Sequence, residues 1–154
     1  MKLFLIRHAH AVGADENPAR PLSPRGREQV LSLAEFLERS GLFQPENFWH
    51  SPLDRSRQTA ELLARRLRPN APLKRMPDLE PEANPRVTVR RIKSETDALA
   101  IVGHEPHLSA LATLLVAGKS DPAAFVMKKC SALALEGVGG FWSVRWHVSP
   151  DLIV

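Results

Sequence analysis

The sequence predicts an α/β fold of three layers: a largely parallel sheet flanked by helices, with an antiparallel hairpin at one edge. Three observations lead there. Short apolar runs, Leu3–Ile6 and Leu99–Val102, have the length and continuity of strands buried on both faces. Between such runs lie segments whose apolar residues recur at i, i+3, i+4 and i+7, the period of an amphipathic helix. Near the end, Ala132–Leu135 and Phe141–Val148 flank a glycine-rich turn at Gly137–Gly140, the pattern of a hairpin.

Taken in order, Lys2–Ile6 is a buried first strand, followed by a loop rich in Gly, Asp, Asn and Pro. A helix is predicted from Pro24 to Ser40. Ser23 is its N-cap, Pro24 suits the first helical position, and Gly41 provides the left-handed stop. Val30, Leu33, Ala34 and Leu37 form its apolar face. A short strand at Asn47–His50 precedes a second helix, Asp54–Leu67, with Ala60, Leu63, Ala64 and Leu67 on one side and Pro69 beyond its end. Leu73–Met76 reads as a third strand. Asp78–Pro85, with three acids and two prolines, reads as loop, and Val87–Ser94 as a helix. After the strand at Leu99–Val102, Leu108, Leu111, Ala112 and Leu115 repeat the helical spacing. Trp142 and Trp146 are placed on one face of the last strand, in the core. No repeat, low-complexity tract or linker divides the chain, which predicts a single domain over residues 1–154.

Composition narrows the class. In 154 residues, 44% apolar and 25% charged, there is enough material for one substantial core and no signature of disorder. The single cysteine, Cys130, excludes an intramolecular disulfide and reads as a small buried hydrophobe, compatible with a reducing compartment. The apolar run after Lys2 is too short for a signal peptide or a membrane span, which predicts a cytoplasmic protein with no membrane association. The net charge is +4, with the basic excess gathered at Arg65, Arg66 and Arg68 and at Arg86, Arg90, Arg91 and Lys93. No aromatic residues interleave with these charges and there is no tyrosine. They read as solvated faces or as mild steering toward an acidic or phosphorylated partner, and not as a nucleic-acid surface. No feature fixes the oligomeric state.

The residues suited to chemistry fall where α/β sheets place their ligands, just beyond the carboxyl ends of strands. The first strand ends in Arg7-His8-Ala9-His10-Ala11. The second leads into Ser51-Pro52-Leu53-Asp54-Arg55-Ser56-Arg57, and the strand at Leu99–Val102 into Gly103-His104-Glu105-Pro106-His107. Each cluster carries Arg or His and each leads toward a helix, so together they predict one anion site helped by backbone N–H groups. Arginine suits a phosphoryl group because it donates two parallel hydrogen bonds to oxygens that share the charge. Neutral imidazole is a nucleophile near pH 7, provided a carbonyl holds the proton on one ring nitrogen and leaves the other free. A second histidine donating to the same oxygens stabilises the transition state.

Arg7-His8-Ala9, Arg20-Pro21-Leu22-Ser23-Pro24-Arg25-Gly26, Ser51-Pro52-Leu53-Asp54-Arg55-Ser56-Arg57-Gln58-Thr59-Ala60 and Val102-Gly103-His104-Glu105-Pro106 resemble, in order, the motifs of the histidine phosphatase superfamily. Within it the chain is similar to the small SixA-like phosphohistidine phosphatases. The resemblance implies a phosphoglycerate mutase-like fold and a covalent phospho-His8 intermediate. It also implies a phosphate pocket of Arg7, Arg55 and His104, no metal or organic cofactor, and a phosphorylated protein, bearing phosphohistidine, as substrate. Many superfamily members use a mid-chain acid to protonate the leaving oxygen. Asp78, Glu80 and Glu82 all occupy that region; no spacing rule separates them, and Glu80 is the choice by position. The small phosphohistidine enzymes need such an acid less, because protonated imidazole leaves readily.

His10 and His107, gathered with His8 and His104, raise the question of a metal. No cysteine or carboxylate pattern with ligand spacing accompanies them, so they read as residues at the pocket rim or behind it. Arg57 reads as peripheral, and His50 and His147 as ordinary strand positions. The short loops of a 154-residue chain leave little for a lid, and an open pocket suits a protein side chain. Two alternatives stand beside this reading: a small-molecule phosphomonoesterase with an essential acid, and a non-catalytic phosphate-binding module.

Overall fold

The computed structural model describes residues 1–153, which form a six-stranded sheet between two pairs of helices. The strands are β1 (Lys2–Arg7), β2 (Asn47–His50), β3 (Leu73–Arg75), β4 (Leu99–Gly103), β5 (Ala132–Val138) and β6 (Phe141–Val148). The helices are α1 (Pro24–Ser40), α2 (Asp54–Leu67), α3 (Pro85–Ile92) and α4 (His107–Ala117). The order across the sheet is β3-β2-β4-β1-β5-β6, with β1, β2, β3 and β4 parallel and β5 and β6 antiparallel. This is the α/β architecture that the sequence predicts. No helix among the described residues is long and apolar enough to cross a membrane.

Alternation along the strands builds two cores. Phe4 and Ile6 of β1 join Phe48, Ala100 and Val102 under α1 and α2. Leu3 and Leu5 point the other way and join Leu99, Ile101 and Leu133 under Ile92 of α3 and Leu108, Leu111 and Ala112 of α4. The connection from β3 to β4 reverses direction across the sheet. A right-handed crossover must then pass over the opposite face, which is why α3 lies opposite α1 and α2; α4, which leads to the antiparallel β5, packs on the same core as α3.

Local chemistry sets the ends of α1 as predicted: the Ser23 hydroxyl accepts from the Gly26 N–H at 3.0 Å, and Gly41 closes the helix at φ +67°. Helix α3 begins two residues earlier than the periodicity indicates. Asn84 accepts from the Arg86 N–H at 3.0 Å and Pro85 takes the first helical position, a start signal hidden by the acids around it. The stretch after β3 is not wholly loop, since Pro77–Leu79 makes one 3-10 turn. At the hairpin the turn is Gly139-Gly140, both at positive φ, while Gly137 belongs to β5. A Cβ there would fall 2.7 Å from the Trp142 indole, so the glycine makes room for the ring that covers it.

The two tryptophans do not share a face. A bulge displaces the β5–β6 register between Ala134 and Leu135, so Ala134 pairs with Trp146 but Leu135 with Val144. The extra residue, Arg145, inverts the alternation. Trp146 packs near Phe4, with ring centroids 6.0 Å apart, and Trp142 packs into the core on the other side.

Candidate active site

Register brings the predicted residues together. Arg7 pairs with Gly103, so the next residues, His8 and His104, leave adjacent parallel strands side by side. Their rings lie 5.0 Å apart, inclined at 51°. His50 pairs with Val102, which puts Ser51 at the same level on the other flank of β4. The start of α2 is tied down to hold Arg55: the Ser56 hydroxyl donates to the Val102 carbonyl at 2.7 Å, and Thr59, bonded to the Arg55 carbonyl, accepts from the Ala9 N–H at 3.1 Å.

Both rings have defined tautomers. His8 Nδ1 lies 2.7 Å from the Ala9 carbonyl, which only accepts, so Nδ1 carries the proton and Nε2 presents a lone pair. His104 Nε2 lies 2.6 Å from Ser51 Oγ, which also accepts from the Leu53 N–H at 3.3 Å. With the ring nitrogen as its available acceptor, the Ser51 hydroxyl donates to Nε2 and leaves the His104 proton on Nδ1. That Nδ1 is buried with no partner, as are Arg7 Nε and Arg55 Nε. Three buried donors without acceptors, each on a residue predicted to grip phosphate, match what the oxygens of a phosphoryl group supply.

The electrostatics are one-sided. His8 is 5% exposed and His104 1%. Burial, opposed by the Ala9 carbonyl and reinforced by Arg55, Arg7 and Lys129, holds His8 down to about 4. Burial, then the repulsion of His8, Arg55, His107 and Arg7, holds His104 down to about 3. Both rings are therefore neutral at pH 7. Arg7 and Arg55 are also pulled below the ordinary guanidinium value by burial; Glu105 opposes this at Arg7 and Arg20 adds to it at Arg55. Glu105 itself is fixed on α4, where it accepts from the Ser109 N–H at 2.9 Å and from the Ser109 hydroxyl. The pattern is that of a site built for an anion.

The remaining candidates lie around this centre. His10 is at the rim, with Nδ1 2.6 Å from the Ser23 hydroxyl. His107 is buried behind it, 2.9 Å from Thr88 Oγ1 on α3. Arg57 is occupied by Asp54 and Glu61 of its own helix, at 3.3 and 3.0 Å. Asp78 is ion-paired with Arg91 at 2.5 Å, and Glu80 and Glu82 are exposed. Cys130 is buried, and burial pushes its thiol up to about 12. His50 is a buried strand residue whose Nδ1–H donates to the Ser51 carbonyl at 2.9 Å. Two residues escaped the sequence reading. Ser51 stands in the sequence as one member of a motif, with its place directly after a strand as the only signal of a role. Lys129 had no signal, because only the pairing of β5 with β1 carries it to Arg7.

Comparison with known proteins places the chain in a family. The sequence matches the family model of the histidine phosphatase superfamily (branch 1) over residues 3–82. An uncharacterized protein of Picosynechococcus sp. is 34% identical over 165 residues, covering 100% of this chain and 94% of that one. Among solved structures, the protein histidine phosphatase SixA complexed with tungstate is similar at a TM-score of 0.87 and 21% identity, covering 100% of both chains. The alpha-ribazole phosphatase from Shigella flexneri is similar at 0.80 and 18%, covering 97% of each. Those two likenesses bear on the fold. The family match and the near full-length relative go further: the chain belongs to the histidine phosphatase superfamily.

Proposed function

We propose that the protein is a phosphohistidine phosphatase that removes the phosphoryl group from a histidine side chain of another protein through a covalent phospho-His8 intermediate. The observation that carries this is His8 itself, neutral and buried, with Nδ1–H held by the Ala9 carbonyl and Nε2 free. In the first step Nε2 attacks phosphorus in line with the departing nitrogen. The His8 N–P bond forms as the substrate N–P bond breaks, and the leaving imidazole, protonated on its other nitrogen, departs neutral. Arg7, Arg55 and His104 Nδ1–H hold the three equatorial oxygens, and the His8 ring gains positive charge that the incoming phosphoryl dianion offsets. In the second step water attacks phospho-His8, the N–P bond breaks, and the water's protons leave on inorganic phosphate and in solvent.

A phosphate ester demands more, since an alkoxide leaving group requires a proton from an acid. Glu80, the choice by position, is exposed, and Asp78 is committed to Arg91. Neither is among the charges that act on His8 or His104. This favours a substrate that brings its own good leaving group. The cationic surroundings also disfavour a divalent metal, so the reaction is proposed to proceed without one. The sole cysteine, reduced and buried, suits a cytoplasmic setting.

The test is to incubate the protein with a 32P-labelled phosphohistidine peptide, quench in alkali and follow label and released phosphate. The expected result is a base-stable, acid-labile phosphoprotein that disappears in His8→Ala, with turnover that EDTA leaves unchanged. Rapid hydrolysis of sugar phosphates or nucleotides, none of phosphohistidine, and a loss of that activity in Glu80→Gln would replace this reading by the phosphomonoesterase one.

A further inference from the structure

Beside His8 lies a groove of about 600 Å³. Arg7, His10, Arg25 and Gln29 form one part of its lining, and Lys128, Lys129, Pro150 and the Asp151 carboxylate the rest. Lys129 comes from the segment before β5, which is pinned to β1 by the Cys130 N–H donating to the Arg7 carbonyl at 3.0 Å. Arg25 stands on the first turn of α1, above the point where Gly26 meets the His10 backbone. Arg20 lies outside the lining but near enough to repel Lys129 and His10; its Nε–H donates to the Val12 carbonyl at 3.1 Å, which fixes the loop that presents it. The cations of the site and groove, Arg7, Arg20 with Arg25, Arg55, and Lys128 with Lys129, thus sit on four separate parts of the chain that the fold has brought together.

Charge accounting shows what this groove lacks. Among the described residues, Arg7, Arg20, Arg25, Arg55 and Lys129 form no ion pair, while Lys128 is paired with Asp151 at 2.6 Å. Partial burial and the repulsion of Arg7, Arg20, Arg25 and Arg55 pull the Lys129 ammonium below its ordinary value. Like charges held at close quarters destabilise the free protein, and a bound counter-charge relieves them. A phosphoryl dianion on Arg7 and Arg55 uses the charge at the centre. It leaves Arg20, Arg25 and Lys129 without a partner.

We infer that the groove of Arg25 and Lys129, with Arg20 beside it, binds carboxylates flanking the phosphorylated residue, so that the substrate is a protein whose phosphohistidine sits in an acidic surface. The substrate class in this inference rests on the phosphohistidine reading above; the preference for flanking carboxylates does not. Protein fits better than nucleotide, because no Phe or Trp lines the groove to stack a base. The groove is open, as a folded partner requires, with the C-terminal turn at Pro150 and Asp151 forming part of its wall.

The experiment compares labelled peptides that carry a stable phosphohistidine analogue flanked either by Asp and Glu or by Asn and Gln, titrated into the protein at low salt. Each lost surface ion pair is worth about two- to threefold, so three of them predict about tenfold tighter binding of the acidic peptide. Lys129→Glu and Arg25→Gln, changes on different segments, should each shrink that ratio, and raised salt should erase it. Equal affinity of the two peptides for the wild-type protein overturns the inference, as does a ratio that both variants leave intact. Hydrolysis of phosphoimidazole, which has no flanks, is measured in parallel. Its absence with the acidic preference intact removes the phosphohistidine reading but not the groove, and its presence with no preference removes the groove alone.

Discussion

At the scale of single residues, the site is governed by where two protons sit. The Ala9 carbonyl fixes one on His8 Nδ1, and the Ser51 hydroxyl fixes the other on His104 Nδ1. Main chain controls the first and no substitution removes it; the second depends on one side chain. Ser51→Ala therefore frees His104 to place its proton on Nε2, where the donor no longer faces phosphate. The expected outcome is a fall in kcat of about tenfold to a hundredfold, below the full loss of an oriented donor because the ring itself stays in place, with a smaller change in KM. Nitrogen NMR of the His104 ring should show Nε2 protonation in the variant and Nδ1 protonation in the parent. An unchanged tautomer with an unchanged kcat would show that Ser51 only packs. Arg7, His8, Arg55 and His104 were legible in the sequence as candidates because each follows a recognisable strand and polar residues there need a reason. Ser51 was harder, since a serine in that place is equally consistent with capping α2. Only the β2–β4 register shows which ring it meets.

At the scale of elements, α1 is held against the site by an approach too close for any side chain. A Cβ on Gly26 would stand 2.0 Å from the His10 carbonyl oxygen, and backbone cannot yield as a flexible side chain would. The same contact is fastened by the Ser23 N–H donating to that oxygen at 3.1 Å and by the His10 N–H donating to Gln29 at 2.9 Å. Gly26→Ala, neutral or better in an isolated helix, should here force α1 away and destabilise the fold by about 2–4 kcal/mol, as overpacking and lost bonds combine. Denaturant titration measures this directly; a gain in stability would mean that α1 tolerates displacement. Sequence reasoning found α1 through its cap, its proline and its terminal glycine, signals that act within a few residues. It could not find the close approach, because Gly26 inside a helix reads as a mild defect until its neighbour across space is known. The same limit explains the tryptophans. Period-two alternation puts Trp142 and Trp146 on one face, and one bulged residue, invisible in composition, puts them on opposite faces.

At the scale of the whole molecule, the gathered positive charge ties stability to pH and to anions. His8 and His107 are held at about 4 and His104 at about 3, all by burial first, against an ordinary value of about 6.5 in the unfolded chain. Between these limits the unfolded state binds more protons than the folded one, so stability rises with pH there. Stated in the other direction, the contribution of these rings is complete above about pH 6.5, declines as the pH falls below it, and is gone once the folded rings themselves protonate near 4 and 3. One buried histidine shifted this far represents on the order of 3 kcal/mol, so thermal unfolding should move to markedly lower temperature between pH 6.5 and 4. A tetrahedral anion at Arg7 and Arg55 opposes the effect, because it favours the protonated form of the rings beside it. Sulfate keeps its charge across this range, so its stabilisation should grow as the pH falls from 7 to 5. At a hundredfold excess over its dissociation constant, a bound anion adds about 2.7 kcal/mol, which for a chain of this size is about 5–10 °C in Tm. General salting effects of sulfate do not need Arg55, whereas this one does. Scanning calorimetry of the parent and of Arg55→Ala, with sulfate or chloride at equal ionic strength and at pH 7 and 5, separates the two. A sulfate increment that is the same in both proteins, or that does not widen at pH 5, would mean that the three buried donors do not act together on one anion.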